Sequence, residues 1–384
     1  MNDNSPNNSS VEDGVGESSD NLERPRRVPA LISFLHPFRL IDNEETENWQ
    51  PSLEDINQNN WDYVALHKIV GGADVRLPPP FHLVVGRDGA LALPPIPQLA
   101  DNQTAVEFFN KCLAALLIGG MYCEAIGLDN LEIGSVIDWK FIRVNSNAPG
   151  GPNRFHNHIR LKNASALEAI ALLRPRRTTM ETISDAMTVG LSVLERIPTV
   201  SGEFLLKGVT GIARRDWGTA LANLWIVVEQ VTSYLWQIHV VSVERGKDIE
   251  GRRSQLDDSR TWTTSNRQEL LFQREILDSE TLRSLSVARK ARNALVHQGK
   301  HPAQSAAIAC YQAALKLFHI ALPATTIPLA LLNLDDHSIT DPFKPKEGRI
   351  GEPEFWMPIP KLPGESELEQ AEADARSEAP SHRV

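Results

Sequence analysis

The stretch ARNALVHQGKHP, residues 291–302, sets an arginine and a histidine five positions apart, just ahead of a glycine and a proline. A guanidinium cannot be neutralised by losing a proton, so its planar fork of donors must be paired or must meet an anion such as a phosphate. An imidazole titrates near neutrality and can take or give a proton in the same reaction. Arg292 and His297 therefore suit the clamping of a phosphoryl group coupled to proton transfer, and Asn293 could hold a phosphate oxygen or orient the imidazole. Arg283, Arg289, Lys290, Lys300 and His301 would supply a positive rim for the backbone of a polyanion. The ordinary alternative for those five is a solvated basic face.

At about 100° per residue, Leu285, Ala288, Ala291, Leu295 and Val296 share one sector of a helix and Arg292 points into the middle of it. Glu229, inside the apolar run LWIVVEQV, is the expected partner for that buried charge; its alternative is an exposed helix acid. His297 lies roughly 140° further round the same ideal helix. The two side chains can face each other only if the helix ends there, with Gly299 as C-cap and Pro302 beyond it, or if Arg292 of one chain meets His297 of a second.

Other constellations carry less. A looser Arg-to-His spacing, Arg76 to His82, spans Leu-Pro-Pro-Pro-Phe and cannot lie on a helix. In RFHNHIRL, strand alternation would put Arg154, His156, His158 and Arg160 on one polar face. Two histidines at that spacing can ligate a metal, but no third ligand is near, so no metal site is expected. GRDG reads as a hairpin turn. Cys112, Cys123 and Cys310 have no ligand or disulfide spacing.

The elements that must position the motif divide the chain in four. Residues 1–28 and 331–384 are polar, acidic or rich in proline and are expected to be disordered, with EFWMPIP at 354–360 as one segment able to dock. The formal charge of −10 sits in those ends, −6 in residues 1–23 and −4 in residues 363–384, so the body is neutral and compatible with an anionic ligand. Residues 29–177 read as a mixed α+β domain. DYVALHKIV is a strand, FHLVV and ALAL flank the GRDG turn, and DWKFIRVN and RFHNHIRL form a second strand pair. TAVEFFNKCLAALLIGGMYCEAI and SALEAIALL are helices.

Residues 178–330 read as helix throughout, in an antiparallel bundle. A capping box from Thr178 to Glu181 opens the first helix, and Asp216 caps the next, which buries Leu221, Leu224, Val228, Val231 and Leu235. Ser265 and Gln268 cap SNRQELLFQREIL, and the motif helix runs over about 281–297. Pro302 opens a last helix that buries Ile308, Tyr311, Leu315, Phe318 and Leu322. The start of the chain lacks a secretory signal and no apolar run is long enough to span a bilayer, so the cytoplasm is the expected location.

Arg292-Asn293-Ala294-Leu295-Val296-His297 resembles the Arg, polar residue, then His motif of HEPN domains. The helix carrying LWIVVEQV, the helix SNRQELLFQREIL, a motif helix ending in His-x-Gly and a closing helix together are similar to the ApeA-like HEPN branch of bacterial defence proteins, over about residues 178–325. The resemblance implies a metal-independent endoribonuclease without cofactor, formed at a homodimer interface, with Arg292, Asn293 and His297 catalytic and RNA as substrate. It also implies a place in antiviral defence, abortive infection or toxin-like growth arrest, with residues 29–177 as a sensor of unknown trigger. The rival expectation is a bundle that binds a nucleotide or a protein without catalysis.

Overall fold

The computed structural model describes residues 25–43, 49–145, 153–243, 249–337 and 364–378. The described residues up to 337 belong to one compact unit and residues 364–378 to another. The first unit opens with β1 (Arg27–Phe34), β2 (Arg39–Asp42), α1 (Leu53–Asn57), α2 (Tyr63–His67), β3 (Ile69–Leu77), β4 (Phe81–Gly86) and β5 (Ala90–Leu93). Next come α3 (Asn102–Ile118), β6 (Glu132–Ile137), β7 (Phe141–Val144), α4 (Asn153–Arg160), α5 (Ala166–Ala169) and β8 (Arg176–Thr179). Helices then follow one another: α6 (Met180–Arg196), α7 (Gly202–Ala213), α8 (Trp217–Trp236), α9 (Arg252–Asp257), α10 (Thr264–Gln273), α11 (Ser279–Gln298) and α12 (Gln304–Ala321). The second unit holds α13 (Glu365–Glu378).

The fold is mixed α+β. An antiparallel sheet runs in the order β3-β4-β5-β1-β6-β7, and β2 pairs with β8 in parallel. One sheet face, with Leu31, Val85, Leu91 and Leu93, joins α3 and α6 in a core that continues through α7, α8, α11 and α12. The opposite face, with Ile32, Phe34, Val136 and Ile142, lies under α4, where the Phe34 ring stacks on His156 at 4.2 Å. The helical layer is held close to α3. A Cβ on Gly190 of α6 would overlap the carbonyl oxygen of Ala115, and one on Gly119 that of Ala186, so the two backbones touch where they cross.

Several expected elements differ. DYVALHKIV divides into α2, capped by Asp62, and the start of β3. RFHNHIRL is α4, not a strand, because its buried residues Asn153, His156, Asn157 and Arg160 recur at helical spacing. In DWKFIRVN the strand begins at Phe141, and Asp138 to Lys140 form a turn. SALEAIALL becomes α5 followed by a 3-10 turn, Ile170–Leu172. The caps also shift. Thr179, not Thr178, accepts from the backbone of Thr182, because residues 176–179 are committed to β8. Thr263 replaces Ser265 on α10, and Ala303 is the N-cap of α12, leaving Pro302 outside the helix.

Asp216 on α8 and Gly299 after α11 cap as expected, and the expected stripe of α8 is buried. In α12, Tyr311, Phe318 and the C-cap Leu322 are buried as expected, Ile308 and Leu315 are only half-buried, and Ala307, Cys310 and Leu317 complete the stripe. At the ends, β1 begins inside the segment expected to be disordered, and the 3-10 turn Leu334–His337 stacks His337 on Tyr122 at 4.2 Å. The Glu- and Ala-rich α13 follows helix propensity where no structure was expected. Residues 1–24 and EFWMPIP lie outside the described residues.

Candidate active site

The motif sits on α11, a helix fixed at both ends. The Asp278 side chain accepts from the Thr281 backbone N–H at 2.6 Å, and Gly299 closes the helix with φ 65°, a conformation cheap for glycine. Asp278 is held below the usual carboxylate range by those Thr281 hydrogen bonds, backbone first. Leu285 and Ala288 anchor the helix in the core, Ala291 and Leu295 are half-buried, and Val296 is 56% exposed. The apolar sector thins toward the C-terminal end. Arg292 thus lies half-buried at a rim instead of in the middle of a buried stripe.

Its Nη1 donates to the Asn293 side-chain oxygen at 3.4 Å. The expected pairing with Glu229 is not formed: Glu229 accepts from the indole Nε1 of Trp225 at 2.7 Å, one turn earlier on the same helix. That hydrogen bond satisfies the half-buried carboxylate locally. His297 is exposed in the last turn of α11. Toward the end of α11, Lys290, Lys300 and His301 are exposed and Arg289 is half-buried, whereas the exposed Arg283 lies nine residues before Arg292, on the opposite side of the helix and away from the pair. His301 lies toward the start of α8, where its charge adds to the Thr219 hydrogen bonds that hold Asp216 low. One chain therefore presents an arginine, an asparagine and a histidine on an accessible, basic helix end, without enclosing them.

A second concentration of ionisable groups lies between α4 and the sheet, and the sequence reading missed it. The GRDG turn is wholly internal: Arg87 and Asp88 are both 0% exposed. Arg160 grips Asp88 through Nε at 2.6 Å and Nη2 at 2.7 Å, and gives Nη1 to the Ile142 carbonyl at 3.2 Å. Burial alone would raise the Asp88 carboxyl, but the guanidinium beside it and His156 hold it well below the ordinary range. His156 Nδ1 lies 3.6 Å from the same carboxylate, and His36 Nε2 is 3.4 Å from the Asn153 oxygen. Asn153 and Asn157 both donate to Glu132, at 2.8 and 3.0 Å. Burial, reinforced by the charge of His156, depresses His36 to about 3, and burial lowers His156 also.

The arrangement is a closed polar clasp. Asn153, His156, Asn157 and Arg160 recur every three or four residues, so a search for polar as well as apolar helical periodicity would have found it. Asp42 makes a similar bridge, to Arg87 at 3.2 Å and Arg177 at 2.9 Å. The three cysteines are buried free thiols, pushed up to about 12 by burial. Among the described residues no group of three His, Cys, Asp or Glu could hold a metal ion, and no helix is long and apolar enough to cross a membrane.

Comparison with protein-family models, with curated proteins and with solved structures gives no match for this chain.

Proposed function

We propose that this protein is a metal-independent endoribonuclease of HEPN type, working as a homodimer through its helical part and serving antiviral defence or growth arrest. The observation that carries the reading is the end of α11, where Arg292, Asn293 and His297 stand accessible on a capped helix among basic side chains. Val296, 56% exposed one turn beyond Arg292 on the same side of the helix, is apolar surface that a second copy would cover. Two chains packed along α11 would bring two arginines and two histidines to one cleft.

There the ribose 2′-OH attacks the adjacent phosphorus. One imidazole takes the hydroxyl proton, the O2′–P bond forms as the P–O5′ bond breaks, and an acid protonates the departing 5′-oxygen. Arg292 steadies the charge on the phosphorane. The products are a 2′,3′-cyclic phosphate and a 5′-hydroxyl. A second reading, a bundle that binds nucleotide or protein without cutting, is favoured by the open setting of His297 within one chain.

Incubation of the purified chain with RNA, with and without EDTA, separates the two. Cleavage that survives EDTA, leaves cyclic or 3′-phosphate ends, spares DNA and disappears in His297→Ala and Arg292→Ala is expected. Wild-type rates in both variants, or activity lost in EDTA and restored by Mg²⁺, would overturn the nuclease. Sedimentation should give a dimer, and a monomer that still cuts RNA would remove the shared cleft.

A further inference from the structure

The sheet outruns its cover. Leu31 of β1 belongs to the core shared with α3 and α6, but its cross-strand partner Ile133 is 66% exposed. Residues opposite one another on neighbouring strands point to the same face. Lys68, Phe141, Ile137 and Arg27 are successive cross-strand partners and so make one row on this uncovered face. Arg143, Ser135 and Pro29 make the next. Lys68, Arg27, Pro29 and Arg143 are exposed, and Phe141 and Ile137 are half-buried. The apolar pair Phe141 and Ile137 thus has a cation at each end of its row, and neighbours in a row stand about 4.8 Å apart.

The row ends at a turn with an unusual tip. The Lys140 N–H closes it on the Ile137 carbonyl at 2.9 Å, and both central residues have positive φ, Asp138 at 50° and Trp139 at 56°. Glycine or asparagine adopts this conformation readily, whereas a bulky residue pays for it. Here it carries a tryptophan that is 59% exposed. Lys140 follows Trp139 in the chain and the Arg26 carbonyl accepts from the Asp138 backbone N–H at 2.9 Å; both cations are exposed, and the carboxylate of Asp138 is turned onto the Arg26 backbone N–H at 2.7 Å. Five exposed cations, Arg26, Arg27, Lys68, Lys140 and Arg143, gather here in a chain whose formal charge is −10.

We infer that this face of β1, β6 and β7, with the Trp139 tip, binds single-stranded nucleic acid. Guanidinium and ammonium groups track the phosphates, while Trp139 and Phe141 offer ring faces to unpaired bases. A duplex hides its base faces and would meet only the cations. A membrane surface would ask for a broad contiguous apolar patch, whereas here the half-buried pair Phe141 and Ile137 is bounded by Lys68 and Arg27 at the two ends of its row. The site is separate from α11 and does not depend on cleavage there.

The test is fluorescence anisotropy with a labelled 20-nucleotide oligodeoxythymidine, which has no 2′-OH and so reports binding whether or not the chain cuts RNA. The full chain should bind it, weakening as salt rises. Trp139→Gly should lower affinity about tenfold, and because glycine suits the turn, its melting temperature should not fall. Arg27→Gln with Arg143→Gln should reduce the slope of log K against log salt by about 1.4. No binding at 50 mM salt, binding unchanged in both variants, or binding to phosphatidylserine vesicles without binding to the oligonucleotide would each overturn the proposal.

Discussion

Asp88 and Arg160 are charges removed from water altogether, and their bidentate contact leaves neither with a cheap alternative. Arg160→Met should cost about 3 to 5 kcal/mol in urea unfolding, since it strands a buried carboxylate; a loss under 1 kcal/mol would show that water reaches the site. The expectation for Arg292→Ala is the opposite. With Glu229 occupied by Trp225, no buried partner is orphaned, and the variant should lose activity while keeping its stability within about 1 kcal/mol. His36 gives a pH dependence whose sign follows from its lowered value. The unfolded chain takes up a proton below about 6.5, and the folded chain does so only near 3. Stability is therefore full above pH 6.5 and falls as pH drops from there toward 3, by about 1.4 kcal/mol per unit for each excluded proton. His36→Gln should flatten that fall between pH 7.5 and 5 in unfolding midpoints; parallel slopes for the two proteins would show that His36 is not the group excluded.

The crossing of α3 and α6 leaves no room for a methyl group, because each glycine faces a backbone carbonyl and not the end of a movable side chain. Gly190→Ala should therefore destabilise by about 1 to 3 kcal/mol in spite of alanine's better helix propensity, and a gain in melting temperature would mean that the helices can part. The helices that were legible in the sequence, α3, α6, α8, α11 and α12, are each at least 17 residues long and present apolar residues three and four apart. Helix α4 was not, because its inward residues are polar and hydrophobic periodicity is blind to them. At alternate positions its arginines and histidines even mimic a strand. Helix α2 is five residues long, too short for a period to register. For the candidate site, the residue types were legible and their surroundings were not. Leu295 and Val296 look like core by composition, yet α11 leaves the core before reaching them, which a single helix's pattern does not encode.

At the scale of the molecule, the core that starts on the sheet runs without a seam into the helices, across the position between β8 and α6 where composition changes. Residues 29–177 and 178–337 expressed apart should each bind dyes specific for exposed apolar surface and unfold without cooperativity, whereas the chain to residue 337 should melt in one calorimetric transition; two well-resolved transitions would show independent domains. The contact of α3 with α6 also bears on descent. A genetic exchange joining a new partner at residue 178 would strip α6 and α7 of the helix they were shaped against, exposing Ile183, Met187 and Leu191. The helical part is thus no exchangeable cassette, and sheet and helices are expected to be inherited as a unit, with viable junctions confined to the segments before β1 and after residue 337.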